Sequence, residues 1–177
     1  TAYFLYEGEY QPELWYIAAM LEDDSALAQT ARRLFQRAFQ LQQRGKLADA
    51  MRLYRESLAH YPTAEAHTYL GWTYAMLHRY EDAIEECHHA IALDAEFGNP
   101  YNDIGAYFIE LGWWRQAGAW FEKALAAPKY ENREVAHFNL GRVHDHFGEW
   151  LRAAECYTAA FHLNPDYQQA RQAFQLA

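Results

Sequence analysis

The residues best equipped for chemistry in this 177-residue chain are nine histidines and two cysteines, and their spacing argues against a chemical use. His88 with His89, and His144 with His146, are the tightest groupings. On a helix, residues one or two apart point to different sides, so neither pair converges on one metal ion. Cys87 and Cys156 lack CxxC spacing and are too few for a disulfide framework. They fit small buried hydrophobes better than nucleophiles, and they favour a reducing, cytoplasmic setting. Neither a glycine loop for phosphate nor an HExxH pair occurs. The expectation is a non-enzymatic chain, with no catalytic residue, no metal and no cofactor.

What positions these residues is helical. Hydrophobic residues make up 51% of the chain, enough for a sizeable core. Only 9 Gly and 5 Pro punctuate it, helix formers are frequent and β-branched runs are missing, so the expected class is all-α. The 15 basic against 24 acidic residues leave a formal charge of −9. That argues against nucleic acid and anionic membranes as partners, and suits a protein or peptide that is basic or neutral rather than acidic. No stretch approaches the roughly 20 apolar residues of a span, so no membrane insertion is expected. No secretory signal opens the chain, and Thr1 in place of Met suggests a trimmed start.

One pattern recurs through most of the sequence. Residues 64–97 carry it as His67, Leu70, Gly71, Tyr74, Tyr80, Ala83, Cys87 and Ala90. Residues 98–131 repeat it as Tyr101, Ile104, Gly105, Phe108, Trp114, Ala117, Phe121 and Ala124, and residues 134–167 as His137, Leu140, Gly141, His144, Trp150, Ala153, Tyr157 and Ala160. A weaker copy over 31–63 holds Leu34, Ala38, Leu41, Gly45, Ala50, Tyr54 and Pro62. Its small anchors, Ala38, Gly71, Gly105 and Gly141, are 33, 34 and 36 residues apart. A small residue where the first helix of a hairpin (A) crosses the second (B) lets the axes approach, with Ala83, Ala117 and Ala153 doing the same from helix B. Large residues such as Leu70, Tyr74, Phe121 and Tyr157 fill the space around the crossing. One hairpin cannot bury its apolar face, so the hairpins stack, leaving the A helices on a concave surface and the B helices on a convex one.

This pattern resembles that of the tetratricopeptide repeat (TPR) family, W-x2-L-G-x2-Y, then A-x3-F, then A. The resemblance implies a right-handed α-solenoid of TPR helix-turn-helix hairpins, with four repeats within 25–165 and a C-terminal capping helix over 166–177 that the chain end would truncate. In that register His67, His137 and His144 stand at aromatic packing positions. Residues 1–24 form an aromatic-rich N-terminal extension, with Tyr3, Phe4, Tyr6, Tyr10, Trp15 and Tyr16, and with Pro12 opening a short helix over Glu13 to Leu21. Asp24 or Ser25 would cap a separate helix running to Gly45. The extension either caps repeat 1 or fills a binding groove. Residues 128–133 add two positions between repeats 3 and 4 and predict a longer loop. Trp113, Trp114 and Trp120 are expected to surround Gly118 at a tight contact with a neighbour.

In peptide-holding members of the family the contacts come from fixed positions on helix A. Carried onto this chain they give a groove of Arg32, Phe35, Gln36 and Phe39 in repeat 1, and Glu65, Tyr69 and Trp72 in repeat 2. Repeat 3 adds Asn102 and Asp103, and repeat 4 adds Phe138, Asn139, Arg142 and Asp145. The amides would bond the backbone of an extended peptide and the aromatics would supply stiff contact area. The carboxylate clamp of the Hsp70- and Hsp90-binding members is absent, since Phe35, Phe39, Tyr69, Asn99 and Asp103 stand at its positions. The implied function is a protein-protein interaction module, an adaptor binding a peptide or partner loop in the concave groove. The alternative is a scaffold that forms a homo-oligomer through the N-terminal arm or repeat 3.

Overall fold

The computed structural model describes the backbone of residues 12–176 and the side chains of residues 26–173. Tyr3, Phe4, Tyr6 and Tyr10 of the aromatic extension lie outside the described residues. The helices are α1 (Pro12–Gln43), α2 (Leu47–His60), α3 (Ala64–Ala75), α4 (Tyr80–Leu93), α5 (Asn99–Glu110), α6 (Trp114–Ala126), α7 (Arg133–His146), α8 (Trp150–Leu163) and α9 (Gln168–Leu176). Among the described residues, none is long and apolar enough to cross a membrane. Four hairpins, α1/α2, α3/α4, α5/α6 and α7/α8, pack each on the next, and α9 closes the stack against α8 and α7. Contacts of α1 with α3, and of α3 with α5, place the A helices side by side on one face.

The same bend is made four times. Gly45, His78, Gly112 and Gly148 all have φ between +58° and +79°. The residue after each donates to a carbonyl five positions back: Lys46 to Leu41, Arg79 to Tyr74, Trp113 to Phe108 and Glu149 to His144, at 2.7–3.0 Å. With the 2.9–3.0 Å bonds from the bend residues to Gln42, Ala75, Ile109 and Asp145, this is the Schellman closure of a helix, which needs a left-handed residue. Three bends use glycine for that conformation. His78 instead carries a side chain there, at a cost of roughly 1–2 kcal/mol against the allowed region, and its ring meets Tyr80 through an exposed 3.0 Å contact of Nδ1 with Tyr80 Oη and an edge-on ring contact. Since glycine gives back some of this gain through the unfolded chain, His78→Gly should stabilise the protein by roughly 0.5–1 kcal/mol. Thermal unfolding checks it, and a lowered midpoint would mean the Tyr80 contact matters more than the backbone.

The crossings are tight where the sequence places glycine. A Cβ on Gly105 would stand 2.6 Å from the ring of Phe121, one on Gly141 2.6 Å from Tyr157, and one on Gly71 3.1 Å from the Ala83 carbonyl. Around these points Tyr54, Leu70, Ala83, Cys87, Ile104 and Phe121 are buried. Burial pushes the Cys87 thiol well above its ordinary value, with the charges of Asp103 and Glu86 adding to the effect, so it packs as a hydrophobe.

Two expectations need correction. The short helix over Glu13 to Leu21 and the separate helix starting at Asp24 or Ser25 are one, because no glycine or proline interrupts Glu13–Gln43 and the polar residues at 22–25 are tolerated within a helix. The tryptophans do not surround Gly118, whose added Cβ would meet Val143 at 3.5 Å and Leu140 at 3.9 Å on α7. Trp114 instead stacks on His146 at 4.2 Å, Trp113 lies against Phe108, and Trp120 packs near Tyr101 and His88. The longer connection expected between repeats 3 and 4 is present as residues 127–132 between α6 and α7, and it is anchored to the preceding loop. Lys129 N–H donates to Glu96 O at 2.9 Å, Gly98 N–H donates to Lys129 O at 3.0 Å, and the Lys129 ammonium pairs with Asp94 and Glu96. Tyr130 is buried over Gly98, leaving no room for a side chain there.

Candidate functional site

The A helices present a continuous chain of side chains across their shared face. On the α1 and α3 side it is aromatic. Phe35 and Phe39 meet Tyr69 nearly edge-on at 5.2 and 5.5 Å, and Tyr69 leans on Trp72 at 4.9 Å. Stiff rings held by one another present their shape at little entropic cost. On the α5 and α7 side it is polar. Trp72 Nε1 donates to Asp103 Oδ2 at 2.5 Å, Asn102 Nδ2 to Asp103 Oδ1 at 3.4 Å, Asn139 Nδ2 to Asn102 Oδ1 at 3.3 Å, and Arg142 to Asn139 Oδ1 at 3.3 Å. Every donor in the series points toward Asp103. A carboxylate, which only accepts, is the consistent terminus of such a chain, and the Arg142 cation is its consistent origin.

Asp103 is the unusual member. It is only 7% exposed, and burial pushes its carboxyl up to about 7 against the opposing hydrogen bonds from Trp72 and Asn102. Trp72, Met76, Asp103 and Tyr107, with Gln42 from α1, border an open hollow of about 520 Å3. Gln42 is itself ordered by the Tyr54 hydroxyl, which donates to its Oε1 at 2.7 Å. Gln42 and Tyr107 were not among the sequence candidates. Tyr107 lies one helical turn beyond Asp103 and so shares its face, a signal the spacing contained.

The sequence candidates therefore divide. Phe35, Phe39, Tyr69, Trp72, Asn102, Asp103, Asn139 and Arg142 are brought together in this chain of contacts. Arg32 and Glu65 sit apart, with Phe35, around a smaller cavity beside Tyr61 and Thr63. Gln36 and Asp145 are exposed. Phe138 turns toward Tyr157 and Tyr167, at 5.7 and 5.4 Å. Asn102 and Asn139 are buried, and their amides are engaged with each other and with Asp103 and Arg142.

The histidines find local partners. His67 Nδ1 lies 2.6 Å from Glu86, and His144 Nδ1 lies 2.6 Å from Glu149, whose carboxyl this bond, ahead of Arg152, holds below its ordinary value. Burial, with Arg133 nearby, lowers His137. Among the described residues no three His, Cys, Asp or Glu side chains cluster as metal ligands would.

The stacked hairpins and the face they share define a helical-repeat solenoid of the kind built for interaction with other proteins. Residues 64–97 match the family model for the tetratricopeptide repeat. No curated protein matches the chain by sequence. Among solved structures, MamA is 26% identical over 78% of this chain and 81% of its own, with a TM-score of 0.66. Pseudomonas aeruginosa pilF is 22% identical over 85% of this chain and 76% of its own, with a TM-score of 0.74. The first TPR of Spaghetti (RPAP3), bound to the HSP90 peptide SRMEEVD, is 21% identical over 68% of this chain and 98% of its own, with a TM-score of 0.64. The chain is thus similar in fold to tetratricopeptide-repeat proteins, and one of its hairpins, within residues 64–97, matches the family's model.

Proposed function

We propose that this chain is a non-enzymatic adaptor that holds an extended peptide or a partner loop against its A-helix face, and that the peptide is basic or neutral. The observation that carries the reading is the continuous run from the Phe35–Tyr69–Trp72 rings to the Asp103–Asn139–Arg142 polar chain. Rings supply contact area, while the buried, interlocked amides fix the geometry of the face rather than reach for ligand themselves. Spaghetti (RPAP3) holds an acidic peptide. The helix-A positions that the repeat register assigns to ligand, Glu110 among them, carry the carboxylates Glu65, Asp103, Glu110 and Asp145 against Arg32 and Arg142, and in the described run Arg142 is engaged with Asn139, so an acidic peptide meets repulsion. Binding to a peptide array should favour basic and neutral sequences, weaken with salt, and fall by about tenfold or more in Tyr69→Ala, which removes the ring at the centre of the aromatic cluster. An array dominated by acidic peptides would reject the charge preference, and full binding by Tyr69→Ala would reject the groove.

A second reading is supported by a different surface. Trp113, Phe147, Trp150 and Leu151 are exposed around the bend between α7 and α8 and the neighbouring start of α6, with Trp150 67% and Leu151 84% accessible. Such a patch suits self-association through repeats 3 and 4. Light scattering on the protein and on Trp150→Ser with Leu151→Ser separates the two, since only self-association predicts a mass that falls.

A further inference from the structure

The hollow between α1, α3 and α5 holds a charge without a counter-charge. The partners of Asp103 are an indole and an amide, both neutral, and among the described residues it takes part in no ion pair. A buried carboxylate without a cation is costly to maintain. Tyr107, also only 7% exposed and bordering the same hollow, has a buried hydroxyl with no hydrogen-bond partner among the described residues. Gln42 Oε1 accepts from Tyr54 and retains a second lone pair. The Gln42 amide N–H donates weakly to Met76 Sδ at 3.7 Å, so the acceptors that remain for a ligand are those of Asp103, Gln42 Oε1 and Tyr107, and the walls are the rings of Trp72 and Tyr107 with the half-exposed Met76. An acidic side chain would meet Asp103 with like charge. An apolar one would leave the carboxylate without a counter-charge and the Tyr107 hydroxyl unpaired in a drier site, which costs more than it gains.

A basic side chain satisfies every feature at once. It brings donors and no acceptor, its charge offsets that of Asp103, its head group is attracted to aromatic faces, and its methylene stem lies well on Trp72 and Met76. We propose that this hollow is the specificity pocket of the groove, receiving one lysine or arginine side chain of the bound peptide, with Asp103 as the countercharge and the Tyr107 hydroxyl as a second acceptor. The proposal rests on the groove reading above and names the position within it that selects charge.

The test uses the full chain, labelled with 15N, and the peptide Ac-Gly-Ser-Lys-Ser-Gly-NH2 beside its acetyl-lysine and glutamate versions. The Trp72 indole N–H resonance, identified by its loss in Trp72→Phe, reports directly on the donor to Asp103. The lysine peptide should shift this signal and bind about tenfold or more tightly than either analogue, because a charge-assisted contact is lost in both. Tyr107→Phe removes only the unpartnered hydroxyl, so the fold is retained, and lysine binding should weaken severalfold. Asp103→Asn should remove the preference for lysine over acetyl-lysine. If both peptides shift groove signals with equal affinity, the pocket does not select charge and this inference fails while the groove reading stands. If none of the three shifts any signal of Tyr69, Trp72 or Asn139, the groove reading fails with it.

Discussion

Gly105→Leu should unfold several degrees below the parent protein, with the loss spreading beyond its own repeat. The added Cβ alone would stand 2.6 Å from Phe121 Cε1 and 2.8 Å from its Cζ. That ring is fully buried and has no free side to swing into. Overpacking of this kind costs roughly 1–3 kcal/mol. Even Gly105→Ala should destabilise, although alanine is favoured over glycine in a helix by about 1 kcal/mol, since the steric cost outweighs that gain. Gly141→Ala should cost less. Its obstacle, Tyr157, is 7% exposed and lies near the end of the stack, where a ring can shift outward. Phe121→Leu tests the cause, because in the double variant with Gly105→Ala the two costs should not add if the ring is the obstacle. In a linear stack each hairpin is held by its neighbours, so amide exchange should also quicken in α3–α4 and α7–α8. An unchanged midpoint for Gly105→Leu would place the crossing elsewhere.

The crossings were legible in the sequence because a requirement for little or no side chain leaves one residue type in phase: Gly105 and Gly141 recur where a Cβ would strike a ring, and Gly71 where it would crowd the Ala83 carbonyl. The bends use Gly45, Gly112 and Gly148 for a different reason, a positive φ rather than a lack of room, and at His78 the closure tolerates a strained residue that sequence pattern cannot flag. The continuity of α1 was missed because Asp24 and Ser25 resemble a helix start, whereas a start also needs a reason for the preceding turn to stop. The helix positions of the groove candidates followed from the repeat register. Their pairwise roles did not. Whether Asn102 and Asn139 reach outward or bond to one another depends on how far apart α5 and α7 are held, which the spacing within one repeat does not encode. The Gln42 contribution was hidden similarly, since Gln42 enters the hollow from a neighbouring repeat, whereas Tyr107 was within reach of the spacing from Asp103.

The stability of the protein should fall as pH rises from about 4 to about 7, in a component that belongs to Asp103. Its carboxyl titrates at about 7 in the folded chain, against an ordinary value near 3.8 in the unfolded one. Between those values the native state holds a proton that the unfolded chain has released, so the native state is progressively disfavoured as pH increases, and the loss is complete above the folded value. The full separation corresponds to about 4 kcal/mol, an upper limit because the site can relax or admit water. The neighbours set the sign. Trp72 and Asn102 favour the charged form, while burial opposes it and prevails; Cys87 on α4, Tyr107 on α5 and Tyr130 are themselves raised, by burial first and the Asp103 charge second, and stay neutral in this range. Exposed carboxylates held low by bonds to bases or histidine, such as Asp82, Asp94 and Glu149, act in the opposite sense, but their contribution is present with or without Asp103. The measurement is therefore a difference: denaturant unfolding of the parent and Asp103→Asn at pH 4.5, 6 and 8. The parent should lose stability relative to the variant across that series. Parallel curves would mean that Asp103 titrates as an ordinary carboxylate, and that it ends the Arg142–Asn139–Asn102 chain as a solvated group rather than as the buried charge of the groove.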